Sequence, residues 1–85
     1  MAKVKITKMN GEVREYEITP VIEYAFEQHT GKGFHKALVE DQKQSDVYFI
    51  CFEAMKRGGE TVVPFGEKFV ETLRLVEVLE SDPLE

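Results

Sequence analysis

The 85-residue sequence has one cysteine, no tryptophan, two histidines and three prolines. A lone cysteine cannot close an internal disulfide or build a thiolate metal site, which fits a reducing, cytosolic-type compartment. No stretch approaches the ~20 apolar residues of a membrane span. The first residues are charged from Lys3 onward and lack the apolar centre of a secretory signal. Basic residues are also scarce, 11 against 16 acids, for a net charge of −5 and a pI near 5.0. That balance argues against a nucleic-acid-binding module, whose footprint is a basic face. Neither nucleic acid nor membrane is therefore expected as a partner.

The acidic excess is uneven. Residues 1–40 carry six basic and six acidic side chains, whereas residues 41–85 carry five and ten. At this size the scaling rules give one modest core, burying roughly 64% of the unfolded surface. A single globular domain over residues 1–80 with an acidic tail at 81–85 is the expected organisation. Such a domain is marginal by itself, so a partner or a second copy that buries apolar surface would stabilise it.

An α+β fold follows from the patterning. Residues 3–18 alternate as two strands around Asn10-Gly11, a strong hairpin signal. A two-residue turn would set Val4 against Glu17 and Ile6 against Glu15, mixing apolar and acidic side chains on one face. A three-residue loop, Met9-Asn10-Gly11 with Gly11 left-handed, instead sets Val4 against Tyr16, Lys3 against Glu17 and Lys5 against Glu15. Opposite-charge pairs across strands favour that register.

Thr19-Pro20 reads as a helix start, with Thr19 at the N-cap and Pro20 at the first helical position. Ile22, Ala25, Phe26 and His29 follow at helical spacing over residues 20–30, and Gly31 is a natural stop. A second short helix spans about 34–40. The most apolar segment, Val47 to Phe52 followed by Ala54 and Met55, predicts a helix over about 45–57. Asp46 at its start and Lys56-Arg57 at its end suit the helix dipole, and Gly58-Gly59 closes it. Six consecutive apolar side chains cover nearly its whole circumference. The helix is therefore central and packed on two sides, or one face meets another molecule. Pro64 opens a last helix over about 65–74, with Phe65, Phe69, Leu73 and Val76 in an i, i+4 row. Residues 76–79 alternate poorly as helix and could instead be a third strand beside the hairpin. A two-stranded hairpin alone is marginal and needs a third strand or helix packing, which favours that option.

Little in the chain suggests catalysis. His29 and His35 stand six residues apart, off the i, i+4 spacing of a metal pair. His29 belongs in a last helical turn, near free carbonyls, and His35 on the surface. Cys51, between Ile50 and Phe52, reads as a buried structural thiol. Gly31-Lys32-Gly33 lacks the spacing of a phosphate loop and follows a helix where such a loop follows a strand. The acids Glu67, Glu71, Glu77, Glu80 and Asp82 read as a solvated face and tail. The expectation is a non-enzyme without metal or cofactor. What stands out is a surplus of large apolar side chains for so small a core. The whole-circumference helix makes Tyr48, Phe49, Phe52 and Met55 the candidate protein-interaction residues.

The order of pieces resembles one family. A charged hairpin runs into Ile18-Thr19-Pro20, and a helix bearing Phe26-Glu27 ends at Gly31. A short helix from Phe34 to Glu40 leads to an aromatic-rich helix from Tyr48 to Gly58. Pro64-Phe65 follows, then Val76-Glu77-Val78. This pattern, covering most of the chain, resembles the small tail assembly chaperones of long-tailed phages and prophages. The resemblance implies a protein made in the host cytoplasm during virion assembly and absent from the mature particle. It implies binding to the long helical tape measure protein, keeping it soluble until tail-tube subunits polymerise, with the major tail protein as a further partner. A longer, frameshifted form is common in that family, and no catalytic residues carry over from it. A different class, a small homo-oligomeric phage or bacterial adaptor, remains the alternative.

Overall fold

The computed structural model describes residues 2–79. Strand β1 (Lys3–Lys8) and strand β2 (Val13–Glu17) form the expected antiparallel hairpin. Lys3 faces Glu17, Val4 faces Tyr16 and Lys5 faces Glu15. The Lys8 N–H donates to the Glu12 carbonyl at 2.8 Å, which closes the three-residue loop Met9-Asn10-Gly11. Gly11 sits at φ +94°, a left-handed conformation that suits glycine. The period-2 alternation then separates two faces. Val4 and Ile6 are fully buried on one, while Lys3, Lys5, Glu15 and Glu17 share the other.

Helix α1 (Pro20–Thr30) starts as the sequence indicates. Thr19 holds the extended N-cap conformation and its carbonyl accepts from Ile22 and Glu23 N–H at 3.0 Å, but its hydroxyl makes no capping bond. Pro20 supplies the preset φ of a first helical residue. Gly31 ends the helix at φ +73°, donating its N–H to the Glu27 carbonyl. The next segment is less regular than expected. A single turn, α2 (Phe34–Lys36), runs directly into a π-helical turn, Ala37–Asp41. Gln42 closes the wider turn with an N–H to Ala37 carbonyl bond of 2.8 Å, and takes φ +50°, unusual for a side-chain-bearing residue.

Helix α3 (Gln44–Arg57) is the centre of the fold, and seven of its fourteen residues are buried. It packs against α1 and against all three strands. Gly58 caps it beneath the Tyr16 ring, where an added Cβ would lie 2.9 Å from Tyr16 Cδ1 and 3.0 Å from the Ala54 carbonyl. Glu60, just beyond, accepts from both Lys8 Nζ and the Tyr16 hydroxyl. That pair of bonds ties the exit of α3 to the hairpin.

The C-terminal part departs from the helix expected over 65–74. Only one turn, α4 (Glu67–Val70), is helical, and strand β3 (Leu73–Leu79) begins three residues earlier than the 76–79 alternative. Leu73 and Val76 fit both an i, i+3 spacing and an extended strand. Pairing to β1 decides between them, because it turns a marginal hairpin into a three-stranded sheet. The strand order is β2-β1-β3, all antiparallel, with Val4 opposite Val78 and Ile6 opposite Val76. A register shift between Thr7 and Lys8 leaves Leu73 opposite Lys8. The result is two layers, helices on one sheet face and a charged open face on the other. One buried cluster, including Val4, Ile6, Ile22, Phe26, Ile50 and Phe69, joins them. The expected tail at 81–85 lies outside the described residues.

Candidate protein-binding surface

The aromatic surplus is resolved by packing. All six phenylalanines of the chain fall into one network of ring contacts. Phe26 meets Phe34 edge-on at 5.4 Å, Phe49 meets Phe65 edge-on at 5.2 Å, and Phe52 meets Phe69 edge-on at 5.3 Å. Edge-to-face geometry suits the ring quadrupole and adds to the area these rings remove from water. His29 joins from α1. Its imidazole stacks flat on Phe49, centroids 4.0 Å apart and planes 4° from parallel, and not on the helix-end carbonyls.

This network sorts the four candidate interaction residues. Phe49 is only 7% exposed and Met55 3%, so both are core side chains. Phe52 is half-buried among Phe49, Phe65 and Phe69, with Lys56 Nζ 5.3 Å from its ring centroid. Tyr48 is half-buried beside β3, bordering a shallow recess with Val70, Leu73 and Val76. The helix is thus packed on two sides, the first of the two arrangements that its composition allows. The four residues do not form one exposed patch.

The polar groups of the core are matched. Asp46, in the first turn of α3, accepts from Lys32 Nζ at 2.6 Å, and Asp41 lies 3.7 Å from the same ammonium. These contacts, led by the Asp46 hydrogen bond, hold the Lys32 ammonium above its usual range. Glu53, also buried, accepts from Arg57 Nε at 2.8 Å one turn later. Burial pushes the Cys51 thiol up to about 12, so it is no nucleophile at neutral pH. Among the described residues no group of three or more His, Cys, Asp or Glu side chains is placed to hold a metal ion. No helix among them is long and apolar enough to cross a membrane.

Exposed apolar side chains occur elsewhere. On the open sheet face, register puts Val13, Thr7 and Leu75 in one row at the loop end. Val13 and Leu75 are both exposed. On the helical side, Leu38 and Val39 of the π-helical turn separate two recesses. One, of about 360 Å³, lies between α1 and α2 and is lined by Ala2, Glu23, Glu27, Phe34, His35, Leu38 and Val39. The other, of about 350 Å³, is lined by Leu38, Val39, Gln42, Gln44, Val47 and Val78. Val39 itself is 49% exposed.

Glu23 and Glu27 stand one turn apart on α1, an i, i+4 like-charge pair that costs about 0.2–0.5 kcal/mol in a helix. Glu27 is partly satisfied, because its Oε2 accepts the Phe34 N–H at 2.9 Å. Glu23 is half-buried and, among the described residues, has no ion-pair or hydrogen-bond partner for its side chain. Sequence reading passed over this place because the recess exists only once α1 and the π-helical turn are set side by side. No family model matches the chain, and neither a curated protein nor a solved structure matches it.

Proposed function

We propose that this protein is a non-enzymatic tail assembly chaperone of a long-tailed phage or prophage. It binds the tape measure protein in the host cytoplasm and keeps it soluble until tail-tube subunits polymerise. The observation that carries the reading is the pair of recesses flanking Leu38 and Val39. Recesses whose linings mix apolar side chains with carboxylates or amides suit an amphipathic helix laid into a groove. The tape measure protein of the resembled family is a long helical chain of that kind. The order of elements, from the charged hairpin through Ile18-Thr19-Pro20 to Val76-Glu77-Val78, supports the same assignment. The acidic excess would keep a complex with an apolar partner in solution.

Co-expression tests it. The tape measure protein encoded beside this chain should move from the pellet into the soluble fraction when both are made together, and the two should co-purify. A partner no more soluble with this protein than without it would sink the reading. A homo-oligomeric adaptor is the second reading, favoured by the exposed Val13 and Leu75 on the open sheet face. Light scattering across concentrations decides it, since a chain that stays monomeric removes it.

A further inference from the structure

The recess beside α1 has a chemistry of its own. Its lining combines the apolar Phe34, Leu38 and Val39 with Glu23 and Glu27 of α1. Among the described residues the lining contains no lysine or arginine, and His35 is its one basic side chain. The charge of the described lining is therefore negative, which suits an incoming cation. Val39 is exposed and lines both this recess and its neighbour, whose described lining is uncharged. It belongs to the π-helical turn with its left-handed Gln42. Such one-turn distortions occur often at functional positions, where they re-aim side chains.

We propose that the groove between α1 and the π-helical turn seats an amphipathic helix of the partner through a lysine or arginine placed between Glu23 and Glu27. The apolar residues on the same face of that helix straddle Val39 and enter the two recesses. A long basic side chain fits because its methylene stem can lie on Phe34 and Leu38 while its head meets the carboxylates. This deepens the chaperone reading, since it names the surface and the charge of the segment that it takes.

The test uses the full chain and two synthetic 18-residue amphipathic helices, one of leucine and lysine and one of leucine and glutamate, titrated by fluorescence anisotropy. The leucine–lysine peptide should bind at least tenfold more tightly than its counterpart, and weaken as salt rises. Glu23→Lys and Val39→Asp should each reduce that binding at least tenfold, and Glu23→Lys should improve binding of the leucine–glutamate peptide. Glu71→Lys, which changes net charge equally at an exposed site away from the groove, should leave binding within twofold. Amide NMR shifts on adding the lysine peptide should centre on Glu23, Glu27, Leu38 and Val39, a readout independent of variant folding. Equal binding of the two peptides overturns the proposal, as do equal losses in Glu71→Lys and Glu23→Lys or shifts centred elsewhere. Co-expression separates it from the broader reading. Should the tape measure protein still be solubilised by the Glu23→Lys and Val39→Asp variants, the groove is wrong and the chaperone stands. Groove-dependent peptide binding without solubilisation means the reverse.

Discussion

The two long helices each carry a pair of acids, and they treat them differently. In α3, Asp46 and Glu53 are both buried, and each is met by its own cation, Lys32 or Arg57. A buried carboxylate paired in this way is a matched part of the scaffold. In α1, Glu23 and Glu27 repel each other across one turn. One is tied to a backbone N–H, and the other has no partner among the described residues. Buried apolar side chains follow the same division. Five apolar residues of α3 are buried, against Ile22 and Phe26 alone in α1. So α3 is used up in holding the molecule together, and α1 keeps a face in reserve. The aromatic-rich segment that draws the eye in the sequence is for that reason the poorer place to look for a partner.

The largest effect should come from breaking α3. Ile50 is fully buried, and Ile50→Ala should cost about 2–5 kcal/mol. Val21→Ala, on the exposed side of α1, should stay within about 0.5 kcal/mol. Urea denaturation of both gives the contrast directly, and equal losses would erase the distinction between the helices.

A smaller effect should appear on raising pH. The folded chain holds the Cys51 thiol proton up to about 12, whereas the ordinary value is 9.0. The unfolded chain therefore loses its proton first. The stability this contributes is complete below pH 9 and drains away as pH rises toward 12, by about 1.4 kcal/mol at pH 10. Lys32 acts in the same direction at higher pH. Its raised pKa contributes stability that is complete below its ordinary value of 10.5 and lost as pH climbs through the folded value. Urea midpoints at pH 8 and pH 10 should fall for the parent chain and fall less for Cys51→Ala, each compared with its own value at pH 8.

Smaller again is the ion pair at the other end of α3. Arg57→Met keeps the apolar stem and leaves the Glu53 carboxylate buried without its cation. Because the Arg57 side chain is 41% exposed, solvent screens the pair. The loss should be about 1 kcal/mol, below that of a fully buried pair. Glu53→Gln in the same chain should recover part of it, which a double-mutant cycle measures.

Much of the scaffold was legible before the structure. Side-chain parity and the Lys3–Glu17 and Lys5–Glu15 pairs are local facts, so the hairpin register and the left-handed Gly11 follow from a short stretch of chain. The helix ends at Pro20 and Gly31 are local in the same sense. The third strand was anticipated at residues 76–79, but its start at Leu73 was not, because Leu73 and Val76 satisfy two periods and only pairing with β1 chooses between them. The aromatic residues misled for a related reason. Composition counts large side chains but cannot show that Phe65 and Phe69, contributed by a loop and a single turn, close over Phe49 and Phe52. The groove was least legible of all. Its chemistry depends on a carboxylate in α1, a ridge in a π-helical turn, and the distance between them.

The smallest expected change in stability is therefore the most informative. Glu23→Gln removes one charge of the i, i+4 pair and keeps the shape of the side chain. If Glu23 served the fold as Asp46 and Glu53 do, this substitution would strip an ion pair and lower stability. With no cation opposite it among the described residues, the substitution should instead leave stability within about 0.5 kcal/mol, with a slight gain from relief of the repulsion with Glu27. Equilibrium unfolding in low salt shows the gain best, since salt screens the repulsion it relieves. A loss above 1 kcal/mol would assign Glu23 to the scaffold and remove the contrast between α1 and α3. An unchanged or firmer fold would mean that the half-buried carboxylate is held at the rim of an apolar recess for something other than folding.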